Sequence, residues 1–306
     1  MKKNIVFIIV LIIIILFSGC VGQDGGNGGP KYSDNALALL DYKTKTNLYH
    51  NEETSIDFWL TNQVEYDVRN VDVKLSNPNI FTITRIICDT EEKAGDTCHF
   101  DKISTLESKR IQIFLKAPSK EQIGNLGDSF KVDLSVQYDY DGESICYFRI
   151  LRLDKESTTT KIQLTQTTGP VHVKIEPGFI IQEQTDQGAK TISDWVIEGK
   201  SFNTKVSTEN VGSLGSNYEF PEINLTDFKM LLEHVKANDQ SLCDFTITDN
   251  YLTGNKVMVP TKKPLTCLLT SDTGFTEPEI PGVIRAEYSY RYKFIKTETF
   301  KIEKIE

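Results

Sequence analysis

The sequence predicts an all-β protein, two tandem β-sandwich domains that follow an N-terminal hydrophobic signal or anchor helix and a glycine-rich tether. Three observations predict it. Beyond about Asn35 the chain runs in short segments of alternating apolar and polar residues divided by polar turn clusters, with almost none of the 3.6-residue period of an amphipathic helix. The alternation seen in the middle of the chain returns near its end in the same register. Between the two copies lies a threonine-rich stretch without apolar periodicity.

The N-terminus comes first. Lys2 and Lys3 precede an unbroken apolar run from Ile5 to Phe17, and Ser18, Gly19 and Cys20 follow, which is the order of a secretory signal. The run is short for a membrane span of about 20 residues, yet extending it to Gly22 makes an uncleaved anchor a second possibility. Either way the two lysines stay on the cytoplasmic side and the bulk of the chain faces outward. Phe17-Ser18-Gly19-Cys20 resembles the lipobox of surface lipoproteins, with Phe17 where Leu, Val or Ile is usual. That resemblance implies lipidation of Cys20; a single-pass anchor and simple secretion are the alternatives. Residues 1–20 are thus signal or anchor. Residues 21–34 form the tether, with five glycines between Val21 and Pro30, a composition that behaves as a flexible coil.

The first sandwich is expected over residues 35–154. Strands are read at Ile56 to Leu60, Val71 to Leu75, Phe81 to Ile87 and Ile111 to Leu115. The plainest alternation runs Phe130, Val132, Leu134, Val136, Tyr138, Tyr140, with polar residues between, so one face is dry and the other wet. Asp141-Gly142 is read as a tight hairpin turn, with Ile145 to Leu151 as the returning strand. About seven strands result, the number expected of an immunoglobulin-like sandwich.

Residues 155–169 form the threonine-rich linker, and the second sandwich is expected over 170–306. Its strands are read at Val171 to Ile175, Thr191 to Ile197, Phe202 to Thr208, Leu242 to Thr248, Lys256 to Val259 and Leu265 to Leu269. Leu225 to Val235 fits either a strand or a short helix, and its place in the repeat favours the strand. Ile284, Ala286, Tyr288, Tyr290, Tyr292 and Phe294 repeat the earlier alternation. Tyr138 and Tyr140 fall on Tyr290 and Tyr292, 152 positions on, and Phe148-Arg149-Ile150 falls on Phe300-Lys301-Ile302 without a gap. A slip of one residue would exchange core and solvent faces, so the kept register argues for a duplicated fold. Ile87-Cys88-Asp89 likewise resembles Leu242-Cys243-Asp244.

Phe202 to Ser213, with its Asn-Val-Gly turn, and Ser55 to Asn62 followed by Asn70-Val71-Asp72-Val73 resemble the strands of cell-adhesion-type immunoglobulin-like domains common on archaeal surfaces. The resemblance implies sandwiches used for adhesion, spacing or assembly. It carries over no catalytic residue.

Five cysteines remain beyond Cys20. In an exported chain they are disulfide partners before they are metal ligands. Proximity pairs Cys88 with Cys98 and Cys243 with Cys267 and leaves Cys146 unpaired, although spacing alone also allows Cys88 to bridge Cys146. The histidines His50, His99, His172 and His234 show no metal-binding spacing. Asp139-Tyr140-Asp141-Gly142-Glu143 is the densest group of oxygen ligands; without the full spacing of a calcium loop it reads as a solvated turn. Asn224-Leu225-Thr226 is a glycosylation sequon.

With 34 basic and 43 acidic residues the net charge is −9, and no basic block offers a footprint for nucleic acid. Neither a nucleophile elbow nor a zinc-binding helix motif is present. The expected function is therefore a non-enzymatic surface module without a cofactor, anchored to the membrane by its N-terminus and meeting a surface protein partner or the envelope lattice. An extracytoplasmic enzyme accessory and a solute-binding lipoprotein are the alternatives.

Overall fold

Alternating sequence becomes strand here because each second side chain can enter a common core while its neighbours stay in water. A computed structural model describes residues 34–93, 95–123, 129–152, 163–178, 195–212, 218–219, 223–249, 251–254 and 257–303. The signal or anchor, Cys20, the tether and residues 155–162 of the linker lie outside the described residues.

The first half holds β1 (Leu37–Thr44), β2 (Asn47–Tyr49), β3 (Glu53–Asn62), β4 (Val68–Asn77), β5 (Thr82–Cys88), β6 (Glu91–Lys93), β7 (Thr97–Ile103), β8 (Ser108–Lys116) and β9 (Ser129–Leu151), with one helical turn at Lys120–Ile123. The second half holds β10 (Gln163–Gln166), β11 (Val171–Gly178), β12 (Trp195–Ile197), β13 (Ser201–Asn210), β14 (Tyr218–Glu219), β15 (Ile223–Leu225) and β16 (Phe228–Glu233). It continues with β17 (Val235–Ala237), β18 (Thr246–Thr248), β19 (Tyr251–Gly254), β20 (Val257–Val259), β21 (Leu265–Ser271) and β22 (Glu279–Glu303).

The protein is all-β, with its strands in several largely antiparallel sheets. One sheet has the order β1-β3-β8-β5-β6, and another β11-β13-β21-β17. A larger central sheet has the spine β18-β19-β16-β22-β9-β4-β7, so both halves of the chain contribute to it. β9 and β22 are its long members, of 23 and 25 residues. They pair antiparallel from Ser129 with Lys301 to Leu151 with Glu279 without a register shift. Even-numbered residues of both enter the core, among them Tyr138, Tyr140, Tyr290, Tyr292, Phe294 and Phe300, all at most 2% exposed.

Asp141-Gly142 is therefore not a hairpin turn, and this reading of the sequence is corrected. The strand continues straight through it. Gly142 lies opposite Tyr288, and a Cβ on it would stand 2.3 Å from Tyr288 Cε2. Glycine here leaves room for a ring across the ladder instead of supplying a positive φ. Gly282 makes the same concession to Phe148, where a Cβ would stand 2.4 Å from Phe148 Cε2.

Two further readings change, and one that was left open is decided for the strand. Gln163 to Gln166 of the linker is strand, paired with Tyr147 to Ser144 of β9. Within Leu242 to Thr248 only Thr246–Thr248 forms a strand, with Cys243 as an isolated bridge. Leu242 ends a 3₁₀ turn that Asp239 caps by accepting from the Ser241 N–H at 2.9 Å and the Ser241 hydroxyl at 2.7 Å. The ambiguous segment from Leu225 to Val235 takes the extended form in β15, β16 and the start of β17.

Cys88 of β5 and Cys98 of β7 form a disulfide that ties the first sheet to the central one, with a Cα separation of 5.6 Å. Cys243 and Cys267 form the second across an antiparallel bridge, with a Cα separation of 4.0 Å.

Candidate interaction face

Odd-numbered residues of β9 and β22 point away from the core, so the ladder sets one wet row against another. Asp139 faces Arg291, Asp141 faces Ser289 and Gln137 faces Lys293. β4 adds Arg69, Asn70 and Asp72 beside them, and β7 adds His99 and Asp101.

These side chains form one network. Arg291 donates to Asp139 at 3.0 Å and to Asp72 at 2.7 Å, and Asn70 donates to the second Asp139 oxygen at 2.7 Å. Arg69 pairs with Asp141, which also accepts from the Ser289 hydroxyl at 2.8 Å. His99 holds Asp72 through Nδ1 at 2.8 Å and Asp101 through Nε2 at 3.2 Å. Both ring nitrogens thus face carboxylates, an arrangement that suits the imidazolium, and Asp72 first and then Asp101 raise the His99 pKa above its ordinary value. On the first sheet, Arg110 grips Asp57 through two nitrogens at 3.1 and 2.7 Å and holds its carboxyl below the usual range.

The Arg69–Asp141 pair separates two open grooves. One, of about 950 Å³, is lined on its far side by Thr226, Asp227, Lys229 and Glu287. The other, of about 640 Å³, is bordered by Glu65, Tyr66, Asp67 and Glu143. Such shallow, polar, charge-rich surfaces suit recognition of a hydrated partner more than enclosure of a small molecule.

The acidic cluster of the sequence finds its place here. Asp139, Asp141 and Glu143 lie at alternate positions on the outer face of one strand, where arginines 291, 69 and 285 meet them in turn, the last pair at 3.3 Å. Guanidinium groups occupy these carboxylates' reach. Among the described residues no three His, Cys, Asp or Glu side chains are grouped to hold a metal ion. His172 lies 3.6 Å from Asp34 and His234 lies 4.0 Å from Asp272, each in its own surroundings away from His99. Cys146 is fully buried in β9, and burial pushes its thiol up to about 12, so almost none is thiolate at neutral pH. Asn224 is exposed on β15, while Thr226 of its sequon donates its hydroxyl to the Ser289 carbonyl at 3.1 Å.

Sequence reasoning missed Arg69, Asp72, His99 and Arg291 as a group, because residues of three strands meet only after pairing. One signal was available. Arg291 stands 152 positions after Asp139, so the repeat itself sets opposite charges at equivalent sites.

Fold and face together define a class of protein: an all-β chain of several antiparallel sheets carrying two disulfides. Disulfides persist in oxidising surroundings and fit an extracytoplasmic location. Among the described residues no helix is long and apolar enough to cross a membrane. No protein-family model matches the sequence, and comparison with curated proteins yields no relative. Among solved structures, red sea bream transglutaminase is similar at 6% identity with a TM-score of 0.20, over 89% of this chain and 32% of that one. Trypsin-activated alpha-2-macroglobulin from Escherichia coli is similar at 9% identity with a TM-score of 0.18, over 90% of this chain and 17% of that one. The chain thus spans under a third of either length, and likenesses of this size carry no argument about function.

Proposed function

We propose that the protein is a non-enzymatic module on the outer face of a membrane, held by its N-terminus and presenting immunoglobulin-like units, 35–154 and 170–306, to a surface protein or the envelope lattice. One observation carries the reading. The side chains best suited to chemistry are already engaged: the Cys146 thiol is buried, and the carboxylates of the outer face are held by Arg69, Arg291 and His99. A face of paired charges beside open grooves suits recognition of another hydrated surface. The reading includes lipidation of Cys20, or an uncleaved span in its place, and a glycan on the exposed Asn224. It calls on no cofactor and no nucleic acid.

Crosslinking intact producing cells, isolating the protein from their membranes and identifying what is recovered in fixed proportion tests the proposal. A discrete surface protein or the lattice is expected, with recovery reduced by R69E, which reverses charge between the grooves. Recovery from the cytosolic fraction, or a partner whose yield R69E leaves unchanged, counts against this face and this role. An intact mass retaining Met1 to Gly19 would replace the lipid anchor with the span.

A further inference from the structure

The sequence repeat and the strand pairing share one centre. Tyr138 and Tyr140 of β9 correspond to Tyr290 and Tyr292 of β22, so Asp139 corresponds to Arg291, and these two residues are direct partners across the ladder. Equivalent strands therefore meet antiparallel about their own equivalent positions, as two identical subunits meet about a two-fold axis.

Short strands obey the same axis. β2 pairs in parallel with the end of β22, Asn47 opposite Lys301 and Tyr49 opposite Glu303. β12 pairs in parallel with the end of β9, Trp195 opposite Arg149 and Ile197 opposite Leu151. Arg149 and Lys301 are again 152 positions apart, while Asn47 and Trp195 are 148 apart. The second spacing also separates Asn62 from Asn210, the last residues of β3 and β13. Each of these asparagines turns its Oδ1 to the N–H two residues on, Val64 at 3.0 Å and Gly212 at 3.1 Å. In both parallel pairs the short strand comes from one repeat and the long strand from the other.

Side chains cross over in the same sense. Toward the end of β22, Phe300 packs on Phe81 with ring centres 5.1 Å apart, and Lys296 Nζ lies 4.3 Å from the centre of the Tyr42 ring. Toward the end of β9, Phe148 packs on Phe202 with ring centres 5.6 Å apart.

We propose that the two repeats are completed by reciprocal strand exchange. The C-terminal part of β9 finishes the second repeat and that of β22 finishes the first, so the chain acts as its own dimer partner and neither repeat keeps its native structure without the other. Nothing in this depends on the surface role proposed above.

Trp59 in β3 and Trp195 in β12 are the chain's two tryptophans, one in each repeat, and serve as separate reporters. The test is denaturant unfolding of the full chain, disulfides intact, as W59F and W195F variants, each alone and with F300A. Both reporters should unfold at one midpoint, and F300A, a change in the second repeat's strand, should lower both midpoints equally. Two separate midpoints, or an F300A shift confined to Trp195, would overturn the proposal. If F300A does not fold, the milder F300L is read the same way. A second measurement inserts a specific protease site between Lys155 and Thr160. Cut halves are expected to co-elute as one species of full mass, and halves that separate under native conditions refute the exchange.

Discussion

Gly142→Ala sets the straight-strand description of β9 against a turn. Its new methyl would lie 2.3 Å from Cε2 and 2.5 Å from Cζ of Tyr288, a ring only 2% exposed and hydrogen-bonded through its hydroxyl to the Val171 carbonyl at 3.1 Å. The ring has to shift or push its neighbours, and overpacking of this kind costs about 1–3 kcal/mol. Losing the hydroxyl's bond adds about 1 kcal/mol, and relief of glycine's backbone entropy returns roughly 0.5–1 kcal/mol. A net loss of about 1–3 kcal/mol lowers the melting midpoint by roughly 2–5 °C for a chain of this size. Near-UV circular dichroism during heating, with disulfides intact, reads it through the tyrosines themselves. The cycle with Tyr288→Leu sharpens the test, since a shorter side chain opposite position 142 relieves the clash and the two changes should couple by about 1 kcal/mol or more. A Gly142→Ala variant as stable as the parent, or strict additivity with Tyr288→Leu, would refute the close-approach argument.

The other predictions concern bonds and protons. Chain entropy assigns roughly 2.7 kcal/mol to the Cys88–Cys98 disulfide, with a separation of 10, and roughly 3.4 kcal/mol to Cys243–Cys267, with a separation of 24. Paired Cys→Ala variants measured by chemical denaturation should lose amounts of that order, and a pair that costs nothing contradicts the model. Cys146 should resist a thiol reagent in the folded protein and yield one equivalent on unfolding, as its burial requires; rapid native labelling contradicts that burial. Because the folded-state pKa of His99 is raised, its contribution is fully present below the unfolded value of about 6.5 and is lost as pH rises through the folded value. The ring is half exposed, so the effect is small and salt-sensitive. His99→Gln should flatten the fall in stability across that window, and an unchanged pH profile refutes the role of Asp72 and Asp101.

The fold was legible where one strand's own pattern suffices. The run from Phe130 to Tyr140 and its return from Ile284 to Phe294 show their core faces in sequence because a pleat has period two. Cys88 and Cys98 were readable together because they are close in sequence and the compartment favours oxidation. Asp141-Gly142 misled because the same glycine serves a positive φ and a missing side chain, and only the facing Tyr288 decides between them. β2 was invisible, since three residues carry no periodicity and their identity lies in the strand they join, whereas β12 is the described end of the strand read at Thr191 to Ile197, whose residues 191–194 lie outside the described residues. The charged face was hidden for a related reason. Arg69, Asp72, His99, Asp139 and Arg291 become neighbours only through register, which no single segment encodes.

The unbroken ladder between β9 and β22 also constrains how this sequence can change. Insertion of one residue near Asp139 would turn every later side chain of β9 from core to solvent, against β22 along its length and within both halves of the molecule at once. A loop insertion stays local. An insertion here would have to be answered in the other long strand, so the two copies, free to drift in composition, are bound to keep their lengths in step.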